Sequence, residues 1–141
     1  MIRLANKFDN PAIIKLLKDF ALTSGVQIAN RPMDWSLQEI ETILANIYAG
    51  QGFILIDEEN TGILIAVKTP CFWMKNIIQL QEVMLHGTNK VIIARLIKHY
   101  LMMARQMISN GEIAKATMAS YKDNDYGRYD MKKLETHWEI V

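Results

Sequence analysis

One turn carries the densest chemical promise in this sequence: His86-Gly-Thr-Asn-Lys-Val91, between an apolar run that ends at Leu85 and a long stretch of helical spacing. A helix that begins here offers the free amides of its first turn, and the positive end of its dipole, to an anion. Gly87 lets backbone approach a ligand closely, Thr88 and Asn89 are capping side chains, and Lys90 places a cation in the first turn. A cation at that end opposes the dipole unless an anion is present, which favours a phosphate site. The same residues would also serve a plain helix start, with Thr88 or Asn89 as the cap and Lys90 in water. Elsewhere the chemistry is thin. His86, His99 and His137 fall on separate elements without the i, i+4 or carboxylate-linked spacing of a metal centre, so no metal is expected. Cys71 is the one cysteine, which excludes an internal disulfide and a cysteine-based zinc site and fits a reducing cytoplasm.

Composition narrows the class of protein. The chain has 141 residues and is 50% apolar, a size at which one domain buries a substantial core. Lysine plus arginine, 16 in all, nearly cancel the 15 aspartates and glutamates, so no broad basic field exists to hold nucleic acid. The N-terminal stretch Met-Ile-Arg-Leu-Ala-Asn-Lys-Phe-Asp has no apolar signal core. No run approaches the roughly 18 apolar residues of a membrane span. A soluble, unexported, cytoplasmic protein is expected, with neither nucleic acid nor membrane as partner.

The elements that must position the turn can be read in order. Residues 2 to 8 alternate loosely as a first strand. Asp9-Asn-Pro11 caps a helix with Ile13, Leu16, Leu17 and Phe20 on one face, ending near Gly25. Ser36-Leu-Gln-Glu39 is a capping box for a second helix that Gly50 stops. Gly52–Asp57 and Gly62–Lys68 flank a Glu-Glu-Asn-Thr hairpin, with Pro70 ending or kinking the second of these strands. A fourth strand runs from Ile77 to about His86, and the spacing predicts a helix from Lys90 to Ser109 with a broad apolar face. A fifth strand over Glu112 to Ser120, a short helix near Asn124 to Lys132 and a last strand from Glu135 to Val141 complete the order β-α-α-β-β-β-α-β-α-β. Strand, long helix, strand is a crossover unit, so the fourth and fifth strands should be parallel neighbours. The start of the helix then lies beside the carboxyl end of the fourth strand, where open sheets bind ligands.

This order, the Glu82-Val83 strand end entering a turn and a long helix, and Tyr129-Asp-Met-Lys-Lys-Leu134 near the end resemble the GCN5-related N-acetyltransferases. The chain looks closest to the short phage-encoded members, whose last helix and strand read much like Arg128 to Trp138. The resemblance covers nearly the whole chain as topology and two short segments as motif. It implies an α/β GNAT-like fold around a mixed sheet of six strands in one domain spanning residues 1 to 141. It also implies acetyl-coenzyme A as cosubstrate, a small-molecule or peptide primary amine as acceptor, and direct transfer without a covalent acyl-enzyme. The family's phosphate loop, Arg/Gln-x-x-Gly-x-Gly/Ala, is altered here. Its internal glycines are replaced near Asn89 and Val91, and no arginine heads it.

Carried over position by position, the resemblance assigns cofactor contacts to Met84, His86, Gly87, Thr88, Asn89, Lys90 and Val91. Glu82 matches a fourth-strand position that holds a basic carboxylate in several members, or else it is a strand-edge glutamate facing solvent. Tyr129 matches the tyrosine many members place near the coenzyme sulfur, and a phenol with a pKa near 10 can protonate a thiolate while staying neutral at pH 7. The alternative is that Tyr129, like Tyr126, packs its ring against the sheet. The small residues Ala114, Ala116, Thr117, Ala119 and Ser120 leave room for a pantetheine slot between the fourth and fifth strands, or for close packing of the long helix. Arg31, Asp34, Trp35 and Trp73 are the candidates for contacting the acceptor. A competing class keeps the fold without the reaction: a binding or regulatory module with a degenerate coenzyme loop, a homodimer that uses exposed tryptophans and methionines.

Overall fold

A computed structural model describes residues 1–23, 36–119, 126–134 and 140. The described elements are β1 (Ile2–Leu4), α1 (Asn10–Thr23), α2 (Leu37–Asn46), β2 (Gly52–Asp57), β3 (Gly62–Pro70), β4 (Ile78–Gly87), α3 (Lys90–Ser109) and β5 (Lys115–Thr117). Short 3-10 turns cover Lys7–Asp9 and Gly127–Tyr129. The sheet is mixed, in the order β1-β2-β3-β4-β5, antiparallel throughout except for the β4–β5 pair. No helix among the described residues is long and apolar enough to cross a membrane.

Three layers result. Ile13 and Leu16 of α1 and Leu44 of α2 pack on one face of the sheet, against Ile54, Ile56, Ile63, Ile65 and Met84. Leu96, Tyr100 and Ala104 of α3 pack on the other, against Phe53, Leu55, Leu64, Ala66 and Leu80. Alternation along β2 and β3 explains the sorting, since successive residues of a strand face opposite sides. Each of these fully buried leucines and isoleucines contributes about 1.5–3 kcal/mol relative to leaving it in water. The sheet and α3 are therefore held as one rigid body around the turn at the end of β4.

β4 breaks its own alternation. The register with β3 shifts between Ile65 and Ala66: Ile65 pairs with Met84, whereas Ala66 pairs with Glu82, so Val83 is an extra residue. Such a bulge inverts which side chains face which layer. Leu80 and Glu82 face α3, whereas Met84 and His86 face α1.

Several sequence expectations are corrected. The sheet has five described strands rather than six. The sixth, over residues 135–141, falls outside the described residues except Ile140, and β5 contracts to three residues. The first strand stops at Leu4, because Asn6, not Asp9, begins the helical chain: its side chain accepts the Phe8 amide at 2.9 Å while Asp9 accepts the Asn6 amide at 2.9 Å. Arg3 holds the same Asp9 carboxylate through two bonds of 2.8 and 2.9 Å. Ser36 caps α2 through the Glu39 amide at 3.4 Å, one half of the expected box. α1 is described as far as Thr23, and Gly25 lies outside the described residues. The short helix expected near 124–132 is a single 3-10 turn, with residues 124 and 125 outside the described residues. α3 keeps the expected limits, and Pro70 closes β3.

Candidate functional site at the end of the fourth strand

The site forms where β5 parts from β4. Their parallel ladder holds only Gln79 with Lys115, Leu80 with Ala116 and Gln81 with Thr117, after which β4 runs on to Gly87 alone on that edge among the described residues. The Thr88 amide donates to the Thr61 carbonyl at 3.0 Å across the β3–β4 ladder. Positions alternate along such a ladder, so the amides of Leu85 and Gly87 point away from β3, toward the edge that β5 has left.

The turn itself is built by the start of α3. The Asn89 side chain accepts the Ile92 amide at 3.0 Å, and its carbonyl accepts the Ile93 amide at 3.3 Å. The amides of Lys90 and Val91 have no acceptor among the described residues. Thr88, Asn89, Lys90 and Val91 are exposed. Gly87 has a packing reason to be glycine: a Cβ there would stand 2.9 Å from the Ile93 side chain. Of the sequence's cofactor candidates, the structure therefore groups Gly87, Thr88, Asn89, Lys90 and Val91 at one turn. Met84 is buried in the α1-side core, and the half-buried His86 ring meets Phe20 edge-on at 6.0 Å. Burial holds His86 below the ordinary histidine range, with the Asp19 charge opposing it.

Glu82 is buried, at 6% exposure, where the two strands part. Its Oε2 accepts the Ala119 amide at 3.1 Å. Burial pushes its carboxyl above the usual range, and the Ala119 bond offsets part of that rise. A carboxyl so placed is poised to take a proton nearer neutral pH than an exposed glutamate would. Tyr100 of α3 is buried beside it and donates its hydroxyl to the Thr117 carbonyl at 2.8 Å.

Tyr129 stands elsewhere. It lines an open groove of about 500 Å³ with Lys98, Leu101, Met102, Arg105 and Asp130 on the flank of α3. Its carbonyl accepts from Arg105 at 3.1 Å, and the Arg128 guanidinium lies 4.9 Å from its ring centre. Glu82 and Tyr129 thus lie at the same level of α3, on its sheet side and its flank respectively. The phenol tied to the Glu82 neighbourhood is that of Tyr126, whose hydroxyl donates to the Ala119 carbonyl at 3.4 Å. Sequence reasoning gave no site role to Tyr100 or Tyr126 and counted Ala119 only among the small residues that leave room for a coenzyme slot. Tyr100 left one signal, since a tyrosine on a helix's core face needs a partner for its hydroxyl. Trp73 lies in the loop between β3 and β4 at 79% exposure. Arg31, Asp34 and Trp35 lie outside the described residues. No group of three or more metal-ligating side chains occurs among the described residues.

No protein-family model matches the chain, and no curated protein does. Solved structures match over its whole length. A Clostridium acetobutylicum protein described as a predicted acetyltransferase, solved with acetyl-CoA, superposes at a TM-score of 0.72 with 13% identity, over 100% of this chain and 95% of that one. The fold is that of the GNAT acetyltransferases. A GNAT family acetyltransferase of Staphylococcus aureus gives 0.63 with 16% identity over 100% and 98% of the two chains. An aminoglycoside acetyltransferase from an uncultured soil sample, in complex with sisomicin, gives 0.67 with 14% identity over 100% and 95%. At these identities the likeness is one of GNAT fold, and the chemistry has to be argued from this chain's own residues.

Proposed function

We propose that this protein is an acetyl-CoA-dependent N-acetyltransferase acting on the primary amine of a small molecule or peptide. The observation that carries the reading is the parting of β4 and β5 beside a buried carboxylate, on a strand edge that leads to two helix amides without an acceptor among the described residues. The residues present fit the coenzyme. The amides of Lys90 and Val91, with the Lys90 ammonium, suit a pyrophosphate, and the β4 edge at Leu85 and Gly87 offers amides to an extended arm. Acetyl-CoA would supply a thioester, whose C–S bond breaks as the amine nitrogen bonds to the carbonyl carbon.

Glu82 would take the proton the amine loses, through Oε1, while Ala119 holds Oε2. Tyr129 is the proposed donor of the proton that the departing sulfur needs, and Tyr126, linked to Glu82 through Ala119, is the second candidate. Trp73, and Arg31, Asp34 and Trp35 on the connection between α1 and α2, are proposed to meet the acceptor. The sisomicin complex of a neighbour in fold supports a small-molecule amine as the acceptor.

A second reading, a GNAT-fold binding module without turnover, is favoured by one observation. Asn89 already holds the Ile92 amide, and Ile93 occupies the space beside Gly87, so the chain partly closes its own turn. Thermal melting decides between the two readings. Acetyl-CoA at about 100 times its Kd stabilises a folded protein by about 2.7 kcal/mol, a rise of roughly 5–10 °C for a chain of this size. An unchanged midpoint at millimolar acetyl-CoA leaves the module.

A further inference from the structure

We infer that Tyr100 is a positioning residue for Glu82, acting by clasping β5 where it leaves β4. Its catalytic consequence rests on the acetyl-transfer reading, whereas the clasp itself can be read without turnover. The ladder between β4 and β5 ends at Gln81 and Thr117, and the next two bonds of the β5 chain go to side chains instead of β4 backbone. The Thr117 carbonyl accepts the Tyr100 hydroxyl at 2.8 Å, and two residues on the Ala119 amide donates to Glu82 at 3.1 Å. A helix and a strand therefore grip the same three residues from two sides.

Both gripping side chains are fixed. Tyr100 is 1% exposed, and its ring packs on Phe53 with centroids 6.2 Å apart. Burial, and then the charge of Glu82, push its phenol far above the ordinary range, so it remains a donor wherever the protein is folded. Glu82 faces the same layer, because its ladder partner Ala66 lies in the core with Tyr100. Beyond its last ladder pair the Thr117 carbonyl is held by Tyr100, while Met118 packs on the core and Tyr126 meets the Ala119 carbonyl at 3.4 Å. Without the Tyr100 bond the backbone at Thr117 is released and the Ala119 amide is aimed less firmly at the carboxylate. The clasp thus leaves Glu82 with one oxygen occupied and the other available.

Tyr100→Phe keeps the ring and removes only the bond. In native-state hydrogen exchange the Ala119 amide should exchange at least about tenfold faster in this variant, as expected when a local contact opens without global unfolding. An unchanged rate overturns the clasp. Should Tyr100→Phe not fold, the wild-type protein carries the test: by NMR the Ala119 amide shift must follow the titration of the Glu82 carboxyl carbon, and an amide silent through that titration also overturns it. Turnover supplies the second arm. Tyr100→Phe should lower kcat about tenfold, with the KM for acetyl-CoA little changed. In a Glu82→Gln background it should cost nothing further. Losses that multiply in the double variant reject action through Glu82. Absence of turnover in the wild type rejects the enzyme reading alone, and the Ala119 measurements still decide the clasp.

Discussion

Gly62 and Gly87 face each other across the β3–β4 ladder, and the first turn of α3 fills the space above both. A Cβ on Gly62 would stand 2.3 Å from the Ile92 Cγ2, and one on Gly87 would stand 2.9 Å from the Ile93 Cγ1. The helix that offers its amides is thus pressed onto the strands by the absence of two side chains. Gly62→Ala should destabilise the fold by about 1–3 kcal/mol through overpacking, read as a lower urea midpoint with an unchanged slope. A variant as stable as the wild type would show that α3 is not seated there.

Lys90 tests the anion site. Lys90→Glu places a negative charge beside the proposed pyrophosphate and should weaken acetyl-CoA by about tenfold or more in calorimetry. The exposed side chain has no partner among the described residues, and a negative charge suits the start of the helix, so the ligand-free melting midpoint should hold or rise slightly. Equal affinity in the two proteins would remove the turn from the coenzyme site.

The pH dependence of stability should carry the mark of Asp57. Its buried carboxylate accepts the Thr61 amide at 2.7 Å, the Gly62 amide at 2.8 Å and the Thr61 hydroxyl. Burial raises its pKa, but these bonds outweigh burial and hold it below the ordinary range. A group depressed in the folded state stabilises above its unfolded pKa, about 3.9, and loses that contribution as the pH falls through the folded value. Asp57→Ala should cost about 2–4 kcal/mol at pH 7. The gap to wild type in melting experiments should narrow below about pH 4, and a constant gap would refute this account.

Glu82 has the opposite sign. Its carboxyl is raised in the folded state, so ionisation costs stability, and the cost appears as the pH climbs from the unfolded value, about 4.3, through the folded one. Glu82→Gln should therefore melt at or above the wild-type temperature at pH 8 and show the smallest difference near pH 4. Under the base role the same variant loses activity by roughly 10²–10⁴-fold. A variant that keeps full turnover would end that role.

Two phenols compete for the acid role. Tyr129→Phe should lower kcat on the order of a hundredfold with little change in acetyl-CoA affinity if Tyr129 protonates the sulfur. If Tyr126→Phe produces that loss instead, the donor is the residue tied to Ala119.

Much of this fold was legible in the sequence because local signals agreed with it. Asn89 and the Asn110-Gly111 pair bounded α3 correctly, and the branched residues of β2 and β3 marked the hairpin. The bulge at Val83 was not legible. Strict alternation would put Leu80, Glu82, Met84 and His86 on one face, and only pairing with β3 reveals the extra residue. The brevity of β5 was hidden for a related reason: its small residues suit a strand, but the Ala119 amide and the Thr117 carbonyl are taken by Glu82 and Tyr100, which are distant in sequence. Gly87 was read as serving a ligand, whereas its immediate cause is the side chain of Ile93, six residues on.

The added residue in β4 is also where this gene can lose a codon without disturbing the pairing on either side. Loss of the Val83 codon would leave Glu82 opposite Ala66 and Met84 opposite Ile65, and so turn the bulge into regular ladder. His86, opposite Ile63, would still face α1, and Leu85, opposite Leu64, would still face α3. Gly62 would remain opposite Gly87, and the seat of Ile92 would be kept. Natural relatives whose fourth strand is one residue shorter should therefore still present a buried acid opposite the position of Ala66.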